Sequence, residues 1–395
     1  MMSIQNYEWA AWPHYDEDEI LAATNLLKSG KVNYWTGDEG RQFEREYAQY
    51  LGRNHAVAVA NGTVALELAL YALGVGVGDE VIVPSRTYIA SASCAVMRGA
   101  IPVVADVDSI SQVLTVQTIT AAVTAKTKAI VVVHLAGWPC AMDEIMTFAN
   151  ERGLYVIEDC AQAHGARYKN KPVGAWGHVA AFSFCQDKIM TTGGEGGLIA
   201  LDDETLWKKA WAYKDIGRSY DAVYNKPHAP GFRWLTESFG TNWRLTEMQS
   251  AIGRIQLRKL DGWIAQRRAN AALLDAGLAG VDGLILPKPD QNSYHAYYKY
   301  YVFIQAEKLA EGWSRDRVME EINAQGIPCG VGSCSEIYLE KAFVEVGYAP
   351  KHRLKNAKKL GETSLMFQVH PTLNVVHMHQ TIKVLSLVLA QAMRT

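Results

Sequence analysis

From residue 56 onward the chain is punctuated by short apolar runs: "AVAVA" (56–60), "EVIVP" (80–84), "IPVVAD" (101–106), "AIVVVHL" (129–135), "LYVIED" (154–159) and "VAAFSF" (179–184). These runs are β-rich and short, and helix-like stretches lie between several of them: "TVALELALYALG", "AMDEIMTFANERG" and, more weakly, "TVQTITAAVT". Near-continuous apolar strands alternating with helices predict an α/β fold with a mostly parallel sheet covered on both faces. In such sheets a ligand sits at the carboxyl ends of the strands, so the residues just after each run are where chemistry is expected.

Two helices precede this region. "DEDEILAATNLLKSG" begins with Asp16, which caps it with Glu19 three residues on, and ends at Gly30; "RQFEREYAQYLG" is the second. After "GLIALDD" comes a Trp- and Tyr-rich region broken by Gly and Pro, around 213–241, then a long helical stretch from Arg244 to Leu278. Beyond about residue 285, "YYKYYVFI" reads as a strand and "RDRVMEEINAQG" as a helix, the texture of a smaller α+β domain. The expected division is 1–265, N-terminal helices included, and 266–395.

The totals exclude several classes. With 395 residues, 20% charged and 49% hydrophobic, the chain has the composition of a soluble globular protein with material for a large core. A net charge of -2 argues against nucleic acid or an anionic membrane as partner. No run reaches the length of a membrane span, and the first residues lack a basic region followed by an apolar one, so neither a span nor a secretion signal is expected. Six scattered cysteines without a close CxxC pair predict no disulfide framework, no metal site and a cytoplasmic location.

Four strand ends carry candidate chemistry, and each is ambiguous alone. Asp159 closes "LYVIED", with Gln162 and His164 just beyond; a carboxylate there is costly to bury unless it meets a cation or donors, although it also suits a turn cap. "NGTVALELAL" runs from a strand through Gly62 and Thr63 into a helix, whose free N–H groups suit an anion or an ordinary cap. Tyr88 follows another strand end and can lie flat on a ligand ring or pack in the core. Ser183 alternates with Phe182 and Phe184, and Lys188 follows in "FSFCQDKIMTTGGEGG", where a lone lysine is simply a solvated charge. Together they answer one demand. Pyridoxal phosphate needs an amine for a Schiff base, a carboxylate against its pyridine nitrogen, a phosphate cradle and a stacking face.

The order and spacing of "NGTVALELAL", "GDEVIVPSRTYIASA", "IEDCAQAHGA", "FSFCQDKIMTTGGEGG" and "FGTNWRLTEMQSAIGRIQL" resemble the DegT/DnrJ/EryC1/StrS family of nucleotide-sugar aminotransferases. The resemblance covers residues 15–270 well and extends loosely into the C-terminal part. It implies a fold-type-I pyridoxal-phosphate transferase with a seven-stranded sheet in its large domain. By position it implies that Lys188 forms the Schiff base, that Asp159 pairs with the pyridinium, that Gln162 lies against the cofactor and that Tyr88 stacks on it. Gly62, Thr63 and Ser183 would hold the phosphate, joined by Asn242 of a neighbouring subunit in a homodimer with shared active sites.

The implied reaction takes an amino group from L-glutamate to a nucleotide-linked keto-sugar, towards an amino sugar of a surface polysaccharide or related glycoconjugate. Two departures bear on the sugar pocket alone. The turn after Lys188 reads TTGGEGG where TTGEGG is commoner, and "AGWPCAMDEI" replaces a Gly-Gln-Pro-Ala-Asp wording. Some relatives with histidine at the lysine position are sugar dehydratases, so Lys188 favours transamination. A dehydratase or other pyridoxal-phosphate activity, and a non-catalytic regulatory protein on the same scaffold, are the alternatives.

Overall fold

The computed structural model describes residues 9–393. The six apolar runs become strands of one seven-stranded sheet: β1 (His55–Val59), β2 (Glu80–Pro84), β3 (Ile101–Ala105), β4 (Thr127–Val133), β5 (Tyr155–Asp159) and β6 (Val179–Ser183). The seventh is β7 (Gly197–Leu201), and the order across the sheet is β1-β7-β6-β5-β4-β2-β3. The pairs β2–β3, β2–β4, β4–β5 and β5–β6 are parallel, whereas β7 runs antiparallel to both β1 and β6. Val133, Asp159 and Ala181 stand abreast in the register, so neighbouring strands finish at one level and their next residues share one surface.

Local chemistry sets the helices around it. α1 (Glu17–Ser29) starts with the capping box of Asp16 and Glu19 and stops at Gly30, which takes φ 68°. α2 (Glu39–Leu51) buries Phe43, Tyr47 and Leu51 against β6 and the long helix Glu247–Leu278. That helix is capped by Thr246 with Gln249, and its buried Glu247 accepts from the N–H groups of Glu39 (2.6 Å) and Gly40 (3.1 Å) at the start of α2. Lys259 reaches Asp16, Asp18 and Glu19 at 2.7–2.8 Å and ties α1 to the same helix. The weak stretch after Thr115 forms a helix only over Val116–Thr120.

Beyond the long helix, β8 (Leu284–Ile285), β9 (Tyr300–Ile304), β10 (Cys329–Gly330) and β11 (Ser364–Phe367) make an antiparallel sheet in the order β8-β9-β11-β10. A separate apolar core of Ala271, Leu274, Val302, Ile322, Leu365 and Leu389 packs it against the last helix, Val375–Ala392. One face of this sheet stands over the carboxyl ends of the large one. Among the described residues, no helix is long and apolar enough to cross a membrane.

Candidate active site

The ends of β1, β2, β5 and β6 open onto a cavity of about 560 Å3. Gly62 and Thr63 line it from β1, Tyr88 from β2, Asp159 and Gln162 from β5, and Ser183 and Lys188 from β6. Seven of the eight expected residues therefore meet in one place. Asn242 does not: it is exposed and bridges to Asp215, away from the cavity of its own chain.

At the β1 end, the Asn61 side chain accepts from Val64 N–H (3.0 Å) and caps the helix Gly62–Ala72. The N–H groups of Gly62 and Thr63 have no carbonyl to meet inside the helix, and the helix dipole is positive there. A Cβ on Gly62 would stand 2.5 Å from the Ser183 Cβ, so glycine is what lets the Ser183 hydroxyl approach the helix end. Two backbone donors and a hydroxyl at a helix N-terminus form a seat for a phosphate.

Asp159 is only 6% exposed. Its Oδ2 accepts from Ser91 Oγ (2.7 Å), which is itself bonded to Thr87 Oγ1 (2.8 Å), and its Oδ1 accepts from Ala161 N–H (3.1 Å). Burial pushes this carboxyl up, and the Ser91 and Ala161 bonds offset that in part. Among the described residues no cation lies within ion-pair distance, so a protonated ring nitrogen in the cavity would supply the missing partner. Nothing in the sequence marks Ser91, because a serine in "IASAS" has no periodicity to distinguish it; it sits in the first turn of the helix Ala90–Met97, with Thr87 in the bend ahead of it.

Lys188 leaves β6 through a turn in which its N–H donates to Cys185 carbonyl (3.0 Å) and its own carbonyl accepts from Trp12 Nε1 (2.8 Å). Thr191 and Thr192 hold the next residues to Phe184 and Glu195, and Gly193 and Gly194 take φ of 85° and 120°, which only glycine adopts without strain. The Lys188 side chain is 16% exposed, its Nζ 3.7 Å from Asp187 Oδ1 and 5.2 Å from the Tyr298 ring centroid. Tyr88, at 67% exposure, covers the open side. Gln162 is buried and fixed by accepting from Ala136 N–H (2.8 Å).

Behind the cavity, His164 is buried between Tyr47 hydroxyl and Ser183 carbonyl. A carbonyl only accepts, so Nε2 carries the proton and donates to it (2.8 Å), while Nδ1 accepts from Tyr47 (2.7 Å). Burial pushes the imidazole down to about 4, with the Ser183 bond opposing. His164 thus steadies Ser183 and stays neutral. A histidine with a depressed folded pKa binds its proton in the unfolded chain first, so its stabilisation is complete above about 6.5 and is lost as pH falls towards 4. We expect His164 to cost about 2 kcal/mol of stability at pH 5 relative to pH 7.5. Urea unfolding at both pH values should show that loss, and His164→Gln should flatten the slope; an unchanged slope would refute it.

Glu158 and His134, beside Asp159, look like metal ligands together with Cys160 but are already engaged. Glu158 accepts from His134 Nε2 (3.1 Å) and from the N–H groups of Gly174, Trp176 and Gly177 (2.6–2.8 Å), and His134 Nδ1 accepts from Cys140 N–H (3.0 Å). A second cavity, about 470 Å3, adjoins the first across Thr87, Tyr88, Gln162, Asp187 and Lys188, and is also lined by Tyr298 and Lys299, just before β9, and by Tyr301 within it.

The set fits pyridoxal phosphate: a helix-end seat that a Cβ on Gly62 would fill, a buried carboxylate short of a cation, and an amine in the same cavity. Residues 13–386 match the model of the DegT/DnrJ/EryC1/StrS aminotransferase family. The chain is 36% identical over 345 residues to 3-amino-5-hydroxybenzoate synthase of Amycolatopsis mediterranei, covering 86% of this chain and 85% of that one. It is 35% identical over 365 residues to dTDP-3-amino-3,4,6-trideoxy-alpha-D-glucose transaminase of Streptomyces venezuelae, covering 92% and 90%. A crystal structure of an aminotransferase from Psychrobacter cryohalolentis superposes with a TM-score of 0.96 at 54% identity, over 98% of this chain and 100% of that one.

Proposed function

This chain belongs to the DegT/DnrJ/EryC1/StrS aminotransferase family, and on that premise we propose that it moves the amino group of L-glutamate to a nucleotide-linked keto-sugar. The product would be an amino sugar for a surface polysaccharide or related glycoconjugate. The observation that carries the reading is the meeting of Lys188, Asp159 and the Gly62–Ser183 seat in one cavity. The Streptomyces relative, a transaminase named for an amino sugar on dTDP, supports the substrate class.

Pyridoxal 5'-phosphate is the family's cofactor, and when bound it supplies an aldehyde that takes up an amine and a ring that draws electrons from the adjoining carbon. In our reading Gly62 and Thr63 N–H and Ser183 Oγ bind its phosphate. Asp159 holds a carboxylate against the ring nitrogen, fixed by Ser91 and Ala161. Tyr88 and Gln162, which line the same cavity, would orient the ring. Lys188, in the same cavity, would lie within reach of the donor's α-carbon, and its Nζ would take that proton and return it to the carbon on the far side of the nitrogen, two atoms away.

The remaining parts of the proposal concern assembly. The segment after Asp215 exposes Phe232 (78%), Trp234 (81%) and Phe239 (98%), a set of large rings that suits burial against a second copy bringing Asn242 to the phosphate. We read a large domain, 1–265, and a small one, 266–395, and a cytoplasmic enzyme whose six cysteines are free. The test is formation of 2-oxoglutarate from L-glutamate with a panel of nucleotide-linked 3-keto and 4-keto sugars. We expect at least one to be aminated; turnover of free keto compounds with none of the panel accepted would overturn the substrate class.

A further inference from the structure

The 470 Å3 cavity beside the cofactor pocket carries charge that the steps above leave unused. Two ammonium groups line it, Lys188 and Lys299, with Nζ atoms 5.2 Å and 4.8 Å from the Tyr298 ring centroid. Beneath Tyr298 lies Arg267, 1% exposed, whose guanidinium stacks over Trp12 (5.1 Å). Among the described residues it faces no carboxylate: its Nη1 meets the carbonyls of Tyr298 (3.3 Å) and Tyr297 (3.5 Å), and Nε and Nη2 have no partner there.

Lys299 makes no ion pair among the described residues. The nearest acid, Asp187, is held by the Tyr298 hydroxyl and by Lys188, while Glu340, the cavity's other acid, is exposed. Burial pushes the Lys299 ammonium down; Asp187 opposes this, and Arg267 and Lys188 add to it. Lys188 pairs with Asp187, which leaves Lys299 as the half-buried and therefore weakly screened cation of this cavity, and it calls for an anion. The cofactor phosphate does not supply one, because its seat lies at Gly62 and Ser183 on the other side of Lys188. An amino acid whose amine replaces Lys188 would have Lys299 in the same cavity, beside the same Tyr298 ring.

We propose that this cavity seats the amino donor and that Lys299 binds the donor's side-chain carboxylate, selecting a dicarboxylic amino acid. The assignment rests on the reading above for the donor but not for the sugar. Glutarate has both carboxylates and no amine to react, so its binding to the holoenzyme, followed by titration calorimetry, probes the site directly. Lys299→Met weakens glutarate at least about tenfold, leaves butyrate alike in both proteins, and raises KM for L-glutamate in step; Lys299→Arg recovers most of the affinity. Inorganic pyrophosphate, a probe of the nucleotide's charge, binds unchanged. Equal glutarate affinity in the two proteins, or loss of pyrophosphate affinity in place of glutarate, overturns the proposal. If Lys299→Met does not fold, Lys299→Gln carries the same comparison. Rejection of the whole keto-sugar panel would leave the glutarate result standing, so the two readings fail separately.

Discussion

Lys188→Ala lowers transamination by roughly 10^4-fold and removes the yellow colour of the purified protein, while its unfolding midpoint stays where it was. The last part follows from the contacts. The Lys188 Nζ has one carboxylate at 3.7 Å and an aromatic ring at 5.2 Å, whereas the turn is held by its backbone, by Trp12 and by the two threonines. Alanine removes the amine and none of these. Turnover within tenfold of the wild type would remove Lys188 from the reaction; a large fall in unfolding midpoint would make the loss of activity uninterpretable in these terms.

Asp159→Asn likewise costs activity and not stability, for a different reason. Without a bound ring, the carboxylate is buried with two hydrogen bonds and no cation, and burial raises its pKa. An acid whose folded pKa is raised binds more protons folded than unfolded, so it costs stability as pH rises through that window. The isosteric amide relieves this, and the apoprotein should be no less stable than wild type at pH 7.5. Activity should fall about 10^2- to 10^3-fold, because a neutral amide no longer favours charge on the ring nitrogen. Loss of stability together with activity would mean that Asp159 is structural.

The sequence made parts of this legible and hid others for physical reasons. A two-residue alternation and a Val/Ile composition reveal strands, and "AVAVA", "AIVVVHL" and "VAAFSF" were plain. The pattern carries no direction, so that Gly197–Leu201 runs against its neighbours and inserts beside β1 could come only from the resemblance or the structure. Lys188 and Asp159 stand out because strand ends concentrate chemistry, and the structure brings both to one cavity. Ser91 and Lys299 do not stand out: one is a small residue inside a helix, the other a single cation in "YYKYYVFI", and both gain meaning from groups distant in sequence.

The place of β7 has a consequence for how the molecule comes into being. Within the sheet β1 is hydrogen-bonded to β7 alone, and β7 also pairs with β6, so Gly62 and Ser183 face each other only because a later strand slots between them. During synthesis, β1 remains an unpaired edge until Leu201 has left the ribosome, and the long loop must close before that pairing repays it. The phosphate seat therefore forms only once Gly197–Leu201 has paired with both strands, and a chain stopped short of Gly197 would hold Lys188 with no seat beside it.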